Sequence, residues 1–578
     1  MPGPYLFISR NVRLAAADDI VQLPMLTQHL PAAAVTPYAR LRERWNAGIP
    51  CPADVAFASG VSLLWLLFYN ERFWQLTLEA MWHPSVGSVV FLVSLFALTL
   101  SLQTILLLMW PTRTSMRVAA SSLFVIAALG SYFCSEYGVI MNEEMMRNVI
   151  QTDAAEVGAL LNSELWLHVA VLGLLPAVLV WRVRLPNTPY KGQLRHRALA
   201  TVGALAIAVV SLFASPANYA TFFREHKPVR FTLSPAAEVV SMAGLLADTK
   251  GKSNAPLIDT GGRVERTAAP APRPLVLFLV IGETARAANF QLGGYARETN
   301  PELSRIAGVT YFRNTSACGT ATAISVPCLF SHLPRSDFKV DEAGRYTNLL
   351  DSLAKAGFDL EWRDNNSGCK GVCARVASID YSNSNLDDVM LSDLPARLEK
   401  ITRDTVIVFH QKGSHGPAYY ERYPASFEKF QPACRSNQLQ HCTAEEITNA
   451  YDNTLVYTDH LLARQIAMLQ SAASRLDGML IYVSDHGESL GENGIYLHGM
   501  PYAFAPTVQK EVPMLVWTSQ SYARRARLDR KCLQAEAALP VSHDFFYHTV
   551  LGAAEARDQV YDRRLDLVSG CRQAGGGE

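Results

Sequence analysis

The sequence predicts a multi-domain membrane protein, in which an N-terminal domain of five transmembrane helices precedes a C-terminal α/β domain. Three observations carry that prediction. Apolar stretches of bilayer length crowd into the first two fifths of the 578 residues, short β-branched runs alternate with helical segments in the rest, and the cysteines of that second part fall into close pairs. A chain of this length exceeds the usual limit of one hydrophobic core. Its formal net charge of zero comes with no basic stripe, so the composition gives no reason to expect a nucleic-acid partner.

The five apolar segments cover roughly residues 54–70, 86–110, 117–137, 164–182 and 198–215, each near the ~17–25 residues that a bilayer requires. The first begins far into the chain, behind Arg40, Arg42 and Arg44, with no small-residue cleavage site after it, and reads as an uncleaved helix. Those arginines, then Arg113 and Arg117, then Arg182, Arg184, Lys191, Arg195 and Arg197, mark the cytoplasmic side. The alternate loops carry Glu71 and Glu79, and then Glu136, Glu143, Glu144, Asp153 and Glu156. An odd number of spans puts everything after about residue 216 outside the cytoplasm. The resulting domains are a cytoplasmic extension (1–50), the transmembrane domain (51–216), an amphipathic bridging helix and linker (217–273) and an outer catalytic domain (274–578).

The bridge contains Tyr219, Phe222, Phe223, Phe231 and Val239 among charges, which suits a helix on a membrane surface, and Gly251 to Pro274 reads as the linker. Disulfides persist in oxidising compartments, so the cysteines bear on the topology. Cys318 with Cys328, Cys369 with Cys373, and Cys434 with Cys442 are neighbours in the outer domain, and Cys532 and Cys571 make a candidate fourth pair. Cys51 and Cys134 belong to the membrane half. The spacings match no zinc-ribbon repeat.

In the outer domain the runs 275–282, 406–410, 479–485 and 512–517 read as buried strands of a mostly parallel sheet, with Ala444 to Gln470 the clearest helix between them. Chemistry gathers beyond the carboxyl ends of such strands. There the sequence puts Glu283, His410 followed by His415, and Asp485 with His486. His498 and the hydroxyls of Cys318-Gly319-Thr320-Ala321-Thr322 complete the strongest polar set. Oxygen and imidazole ligands of this kind suit zinc, which lowers the pKa of a coordinated hydroxyl and generates a nucleophile at neutral pH. His410 reads as structural.

The strings VIGETARAANFQLGGY, ACGTATAISVPCLFS, WRDNNSGCKG, HQKGSHGPAYYERY and YVSDHGESLGENGIYLHG resemble those of the phosphoethanolamine transferases, including the lipid A enzymes and the mobile colistin-resistance proteins. The resemblance covers nearly the whole chain except the first fifty residues. It implies a sulfatase-like or alkaline-phosphatase-like catalytic domain outside the inner membrane of a Gram-negative bacterium, in the periplasm. Carried onto this sequence, it implies that Glu283, Thr322, Asp485 and His486 hold a catalytic Zn2+ and that Thr322 is the nucleophile, with Thr320 the rival hydroxyl. His415 and His498 match positions that touch the phosphate, hold a second metal, or act as general acid or base. Asn366, Ser367 and Lys370 match head-group positions, and a disulfide between Cys318 and Cys328 would brace the nucleophile loop. Pro327 limits the helix that starts near Thr322.

The implied reaction is ping-pong transfer of phosphoethanolamine from phosphatidylethanolamine to a lipid A phosphate, both partners being membrane lipids. Its consequence is a lower negative surface charge and resistance to polymyxin and other cationic peptides. Asn142, Glu144, Asn148 and Gln151 are candidates to meet the ammonium head group, although Gln151 stands where an acid is expected. Core heptose or Kdo sugars are alternative acceptors, and a glycerol-phosphate transferase of the lipoteichoic acid synthase type is the alternative enzyme. A sulfatase is excluded because no C/S-x-P-x-R string is present.

Overall fold

The computed structural model describes residues 49–50, 53–152, 154–185, 189–249, 256–269 and 271–573. The expected extension up to residue 48 with its three arginines, Cys51, Asp153, the side chain of Glu156 and residues 251–255 and 270 of the expected linker lie outside the described residues. The chain divides into two units, Met1–Pro50 and Cys51–Glu578, and the second contains both the apolar helices and the sheet.

Among the described residues, four helices are long and apolar enough to cross a membrane: Val86–Leu108, Arg113–Tyr137, Ser163–Val180 and Tyr190–Ala214. The first expected span is a shorter apolar helix, Asp54–Phe68 (α1), which at 15 residues reaches only ~22 Å, against a hydrocarbon core of ~30 Å. It is followed at once by the amphipathic Glu71–Met81 (α2). The four long helices are α3, α4, α6 and α7, and α5 is the short helix Glu143–Gln151 between α4 and α6.

Polar groups tie these helices together. Asp54 at the start of α1 accepts from Arg113 at 2.8 Å and pairs with Arg197 at 2.9 Å, joining α1, α4 and α7 at one end. Helix α7 begins at Tyr190, so Lys191, Arg195 and Arg197 are helical rather than in a loop. Their long stems allow a charged first turn to continue the apolar span. In α6, Val169–Leu174 widens to a π-helix just before Pro176. Proline has no N–H for the carbonyl four residues back, and the hydroxyl of Tyr69 donates to that carbonyl, Leu172 O.

The expected bridging helix is broken by Pro228 and Pro235 into Pro216–Glu225 (α8), a 3-10 stretch over Lys227–Thr232 and Ala236–Thr249 (α9). Part of the expected linker is docked on the outer region: Ile258 bridges to Tyr346, and Glu265–Arg266 pairs with Ala556–Arg557.

The outer region is a seven-stranded sheet. In chain order the strands are Leu275–Gly282 (β1), Val309–Phe312 (β2), Asp359–Asp364 (β3), Ala377–Asp380 (β4), Thr405–His410 (β5), Asp477–Ser484 (β6) and Met514–Thr518 (β7). The spatial order is β2-β7-β6-β1-β5-β3-β4. The five strands from β6 to β4 are parallel, and β7 runs antiparallel to both its neighbours.

Alternation splits the core between two faces. Leu275, Leu277, Leu279 and Ile281 pack toward Thr322–Leu329 (α10) and Asp544–Ala553 (α12), while Val276, Phe278 and Val280 pack toward Ala444–Ser471 (α11). Helix α11 starts with a capping box: Glu446 N donates to Thr443 Oγ1 at 3.2 Å and Thr443 N donates to Glu446 Oε2 at 2.8 Å. The register sets Gly282 beside Ser484 and Ile281 beside His410, so the residues that follow β1, β5 and β6 emerge together.

Candidate active site

Glu283 follows β1, and Asp485 and His486 follow β6; all three are fully buried. Thr322 opens α10, with Ala321 in an extended conformation before it. Its loop is held from several directions. Cys318 and Cys328 form a disulfide across it, Cys318 N donates to His543 Nδ1 at 3.2 Å, and Gly319 N donates to Ser325 Oγ at 3.0 Å. Thr322 Oγ1 donates to Glu283 Oε2 at 2.9 Å and lies 3.3 Å from His486 Nε2. The rival hydroxyl is turned away: Thr320 Oγ1 donates to the carbonyl of Met500.

His486 Nε2 is 3.3 Å from Glu283 Oε1 and 3.4 Å from Asp485 Oδ2. Neither of those oxygens has a hydrogen-bond partner, although both are buried. Orphaned carboxylate oxygens in a dry site are costly unless a cation takes them. Donor atoms of Glu283, Asp485 and His486 lie within 4.8 Å of one another, and so do those of Glu283, His415 and His498. The donor set therefore fits a divalent metal, and two oxygens with an imidazole and a hydroxyl suit zinc. Burial works against charge on Glu283, but His486, with His415 and His498, outweighs it and holds the carboxyl well below its ordinary range.

The histidines are oriented from behind. His498 donates from Nδ1 to Glu488 Oε2 at 2.8 Å, and Tyr419 OH donates to Glu488 Oε1 at 2.8 Å, which leaves His498 Nε2 toward the site. The rings of His486 and His498 are 4.4 Å apart, and those of His415 and His498 5.3 Å. Burial raises the Glu488 carboxyl to about 8. Gly413 lies over the backbone of Glu283, where a Cβ would meet Glu283 O at 2.7 Å, and its φ of +53° favours glycine. Buried Asp387 fixes this turn by accepting from Lys412 N at 2.8 Å and Gly413 N at 2.9 Å. Sequence reasoning singled out neither Glu488 nor Asp387. The acid inside SDHGES was the one available signal for Glu488, and nothing near Asp387 marked it.

The expected head-group residues separate. Asn366 donates to Glu283 Oε2 at 2.6 Å and to Gln411 O at 2.9 Å, so its amide orients the carboxylate. Ser367 and Lys370 line a cavity of about 140 Å3 with Thr322, His415 and His498. Its other wall belongs to the membrane half, including Phe133, Tyr137, Met141, Asn148 and Gln151. Asn142 instead caps α5, accepting from Met145 N at 3.1 Å, and lines a separate groove with Glu144. His410 is in the floor, bonded through Nδ1 to Asp364 Oδ2 at 3.0 Å. The remaining disulfides are Cys369–Cys373, Cys434–Cys442 and Cys532–Cys571, and Cys134 is a free buried thiol.

Two family descriptions match this chain: Phosphoethanolamine transferase EptA/EptB over residues 61–249 and Sulfatase over residues 276–556. Phosphoethanolamine transferase EptA of Escherichia coli K12 is 37% identical over 535 residues, covering 88% of this chain and 97% of the relative. The chain belongs to the phosphoethanolamine transferase family. The transferase is also 39% identical over 418 residues to phosphatidylethanolamine transferase Mcr-1 of Escherichia coli, covering 69% of this chain and 77% of that one. The solved integral membrane lipooligosaccharide phosphoethanolamine transferase A of Neisseria meningitidis superposes with a TM-score of 0.88 at 33% identity, over 91% of this chain and 100% of that chain. It is thus a membrane enzyme with a sulfatase-like catalytic domain.

Proposed function

We propose that this transferase moves phosphoethanolamine from phosphatidylethanolamine to a lipid A phosphate through a covalent intermediate on Thr322. The observation that carries the reading is the Thr322 hydroxyl, 2.9 Å from Glu283 and 3.3 Å from His486, at the mouth of a cavity whose far wall comes from the membrane half. A lipid anchored beside α4 through its acyl chains can present its phosphodiester there without leaving the bilayer. The relatives' names support the donor and the class of acceptor, one being a phosphatidylethanolamine transferase and another a lipooligosaccharide phosphoethanolamine transferase.

Glu283, Thr322, Asp485 and His486 would hold one Zn2+, which when bound lowers the pKa of the Thr322 hydroxyl and withdraws charge from phosphoryl oxygens. His415 and His498, with Glu283, form the set that could take a second ion or bond to the phosphate directly. In the first half-reaction Thr322 Oγ1 forms a bond to phosphorus and the ester bond to diacylglycerol breaks. The proton lost by Thr322 ends on the diacylglycerol oxygen, and His498, held by Glu488, is the group suited to carry it. Lys370 and Ser367 face the phosphoryl oxygens, and Asn148 and Gln151 face the ethanolamine. In the second half a monoprotonated acceptor phosphate attacks the same phosphorus. The Thr322 Oγ1–P bond then breaks, and the acceptor's proton returns to Thr322.

This chemistry requires the catalytic half to face the periplasm of a Gram-negative inner membrane, in line with the disulfides. It also lowers surface charge and, with it, polymyxin susceptibility. The test is mass spectrometry of lipid A from a host lacking its own transferases and expressing wild type or Thr322→Ala. A phosphoethanolamine mass increment that is absent in the variant supports the reading. Unmodified lipid A from well-expressed protein, with the increment on core or Kdo sugars, would move the acceptor there.

A further inference from the structure

A second space adjoins the cavity beside Thr322. On the other side of the last turns of α5 lies an open groove of about 400 Å3, with Arg147, Gln151, Ala323, Asp341, Ser367 and Lys370 among its lining residues. Gln151, Ala323, Ser367 and Lys370 line both spaces, so α5 separates two routes that converge on the first turn of α10. The two routes differ in chemistry. The cavity has a wall of Phe133, Tyr137, Val139 and Met141, whereas the groove's charged lining is Arg147, Lys370 and Asp341.

Arg147 is the distinctive group. Its side chain is only 13% exposed, it pairs through Nη1 with Asp341 at 2.6 Å, and its buried Nε has no hydrogen-bond partner. A guanidinium paired with a single carboxylate can exchange it for a phosphate, which it binds in bidentate fashion. Lys370 Nζ, 2.9 Å from Ser367 O, brings a second cation to the shared rim.

We propose that this groove is the subsite for the anionic acceptor: a phosphate monoester on a membrane-linked sugar binds Arg147 in exchange for Asp341 and reaches phosphorus past Ala323. The inference rests on the two-step transfer proposed above. It assigns the apolar cavity to the donor and the groove to the acceptor, with Asp341 holding Arg147 until the acceptor arrives.

The test uses the full-length enzyme in lipid nanodiscs with phosphatidylethanolamine, comparing Arg147→Gln and Asp341→Asn with wild type. Diacylglycerol release without acceptor reads the donor step, and phosphoethanolamine incorporation into added lipid A 1,4′-bisphosphate reads the acceptor step. Arg147→Gln is expected to raise the acceptor KM about tenfold and to change the donor KM far less. Removing the competing carboxylate in Asp341→Asn is expected to lower the acceptor KM. The opposite signs separate binding from a structural clamp, because loss of a clamp would impair both steps in both variants. That outcome, or an unchanged acceptor KM in Arg147→Gln, overturns the proposal while leaving the transfer reaction intact. Diacylglycerol release by wild type without any transfer to the bisphosphate overturns the lipid A reading and the acceptor groove together.

Discussion

The membrane half and the sheet half both contain continuous apolar strings, yet they bury them against different things. Every residue of Leu275–Gly282 and Asp477–Ser484 is buried by protein. In Tyr190–Ala214 only Arg197, Ala208 and Ser211 are buried, and Val202, Val210 and Phe213 are 65%, 68% and 77% exposed. The same hydrophobicity thus specifies a protein core in one half and a lipid-facing surface in the other. Apolar clusters around Trp65 and Phe124 and around Phe91 and Phe222, joined by polar ties such as Asp54 with Arg113 and Arg197, hold the membrane half together, whereas continuous packing on both faces holds the sheet half. The active site is formed where the two meet.

The largest effect expected is on chemistry: Thr322→Ala should reduce phosphoethanolamine transfer by roughly 10³-fold or more while leaving the thermal unfolding midpoint near wild type. Transfer within tenfold of wild type would contradict the nucleophile assignment. Next comes the polar tie of the membrane half. Asp54→Ala leaves Arg197 buried beside no carboxylate and should cost about 3–5 kcal/mol, read as a drop in detergent melting temperature.

Packing gives the sharpest contrast between the halves. Leu279→Ala, at a position with 0% exposure, should cost about 2–5 kcal/mol. Leu205→Ala, at 54% exposure on a lipid-facing surface, should cost less than about 0.5 kcal/mol. Equal losses in a calorimetric comparison would mean that Leu205 packs against protein rather than lipid.

The last expected effect is a pH slope. Burial, reinforced by the nearby His486, lowers the His543 pKa from 6.5 to about 4 despite its bond to Ser484 O. Above pH 6.5 the ring is neutral in folded and unfolded chains. Between about 6.5 and 4 only the unfolded chain takes the proton, so stability falls as the pH is lowered through that window. Urea titrations of His543→Gln should show a flatter acid limb than wild type.

Legibility in the sequence followed the same division. LVLFLVIG and the run ending at Asp485 are apolar throughout, so β1 and β6 could be read directly. Asp359–Asp364, DLEWRD, could not, because its fully buried Arg363 is compensated by Glu361 in its own strand and by Asp393, 30 residues on. Val309–Phe312 and Ala377–Asp380 are too short to stand out. Antiparallel pairing of β7 has no local signature. In the membrane half the apolar lengths located the helices, but Pro176, Pro228 and Pro235 set where they widen or break.

The sequence by itself determined that apolar helices precede an α/β domain, and that Glu283, Asp485, His486, His498 and the hydroxyls of 318–322 form a polar set at the ends of apolar runs, because residue type and periodicity are local properties. Tertiary structure alone decided which threonine faces the carboxylates, since Thr320 and Thr322 are distinguished only by Met500 and Glu283, groups far away in the chain. It also decided that Asn366 serves Glu283, that Asp387 fixes the turn before His415, and that α5 lines both the cavity beside Thr322 and the groove next to it. Each depends on contacts between distant segments, formed only once the sheet has aligned the ends of β1, β5 and β6 beneath the membrane half.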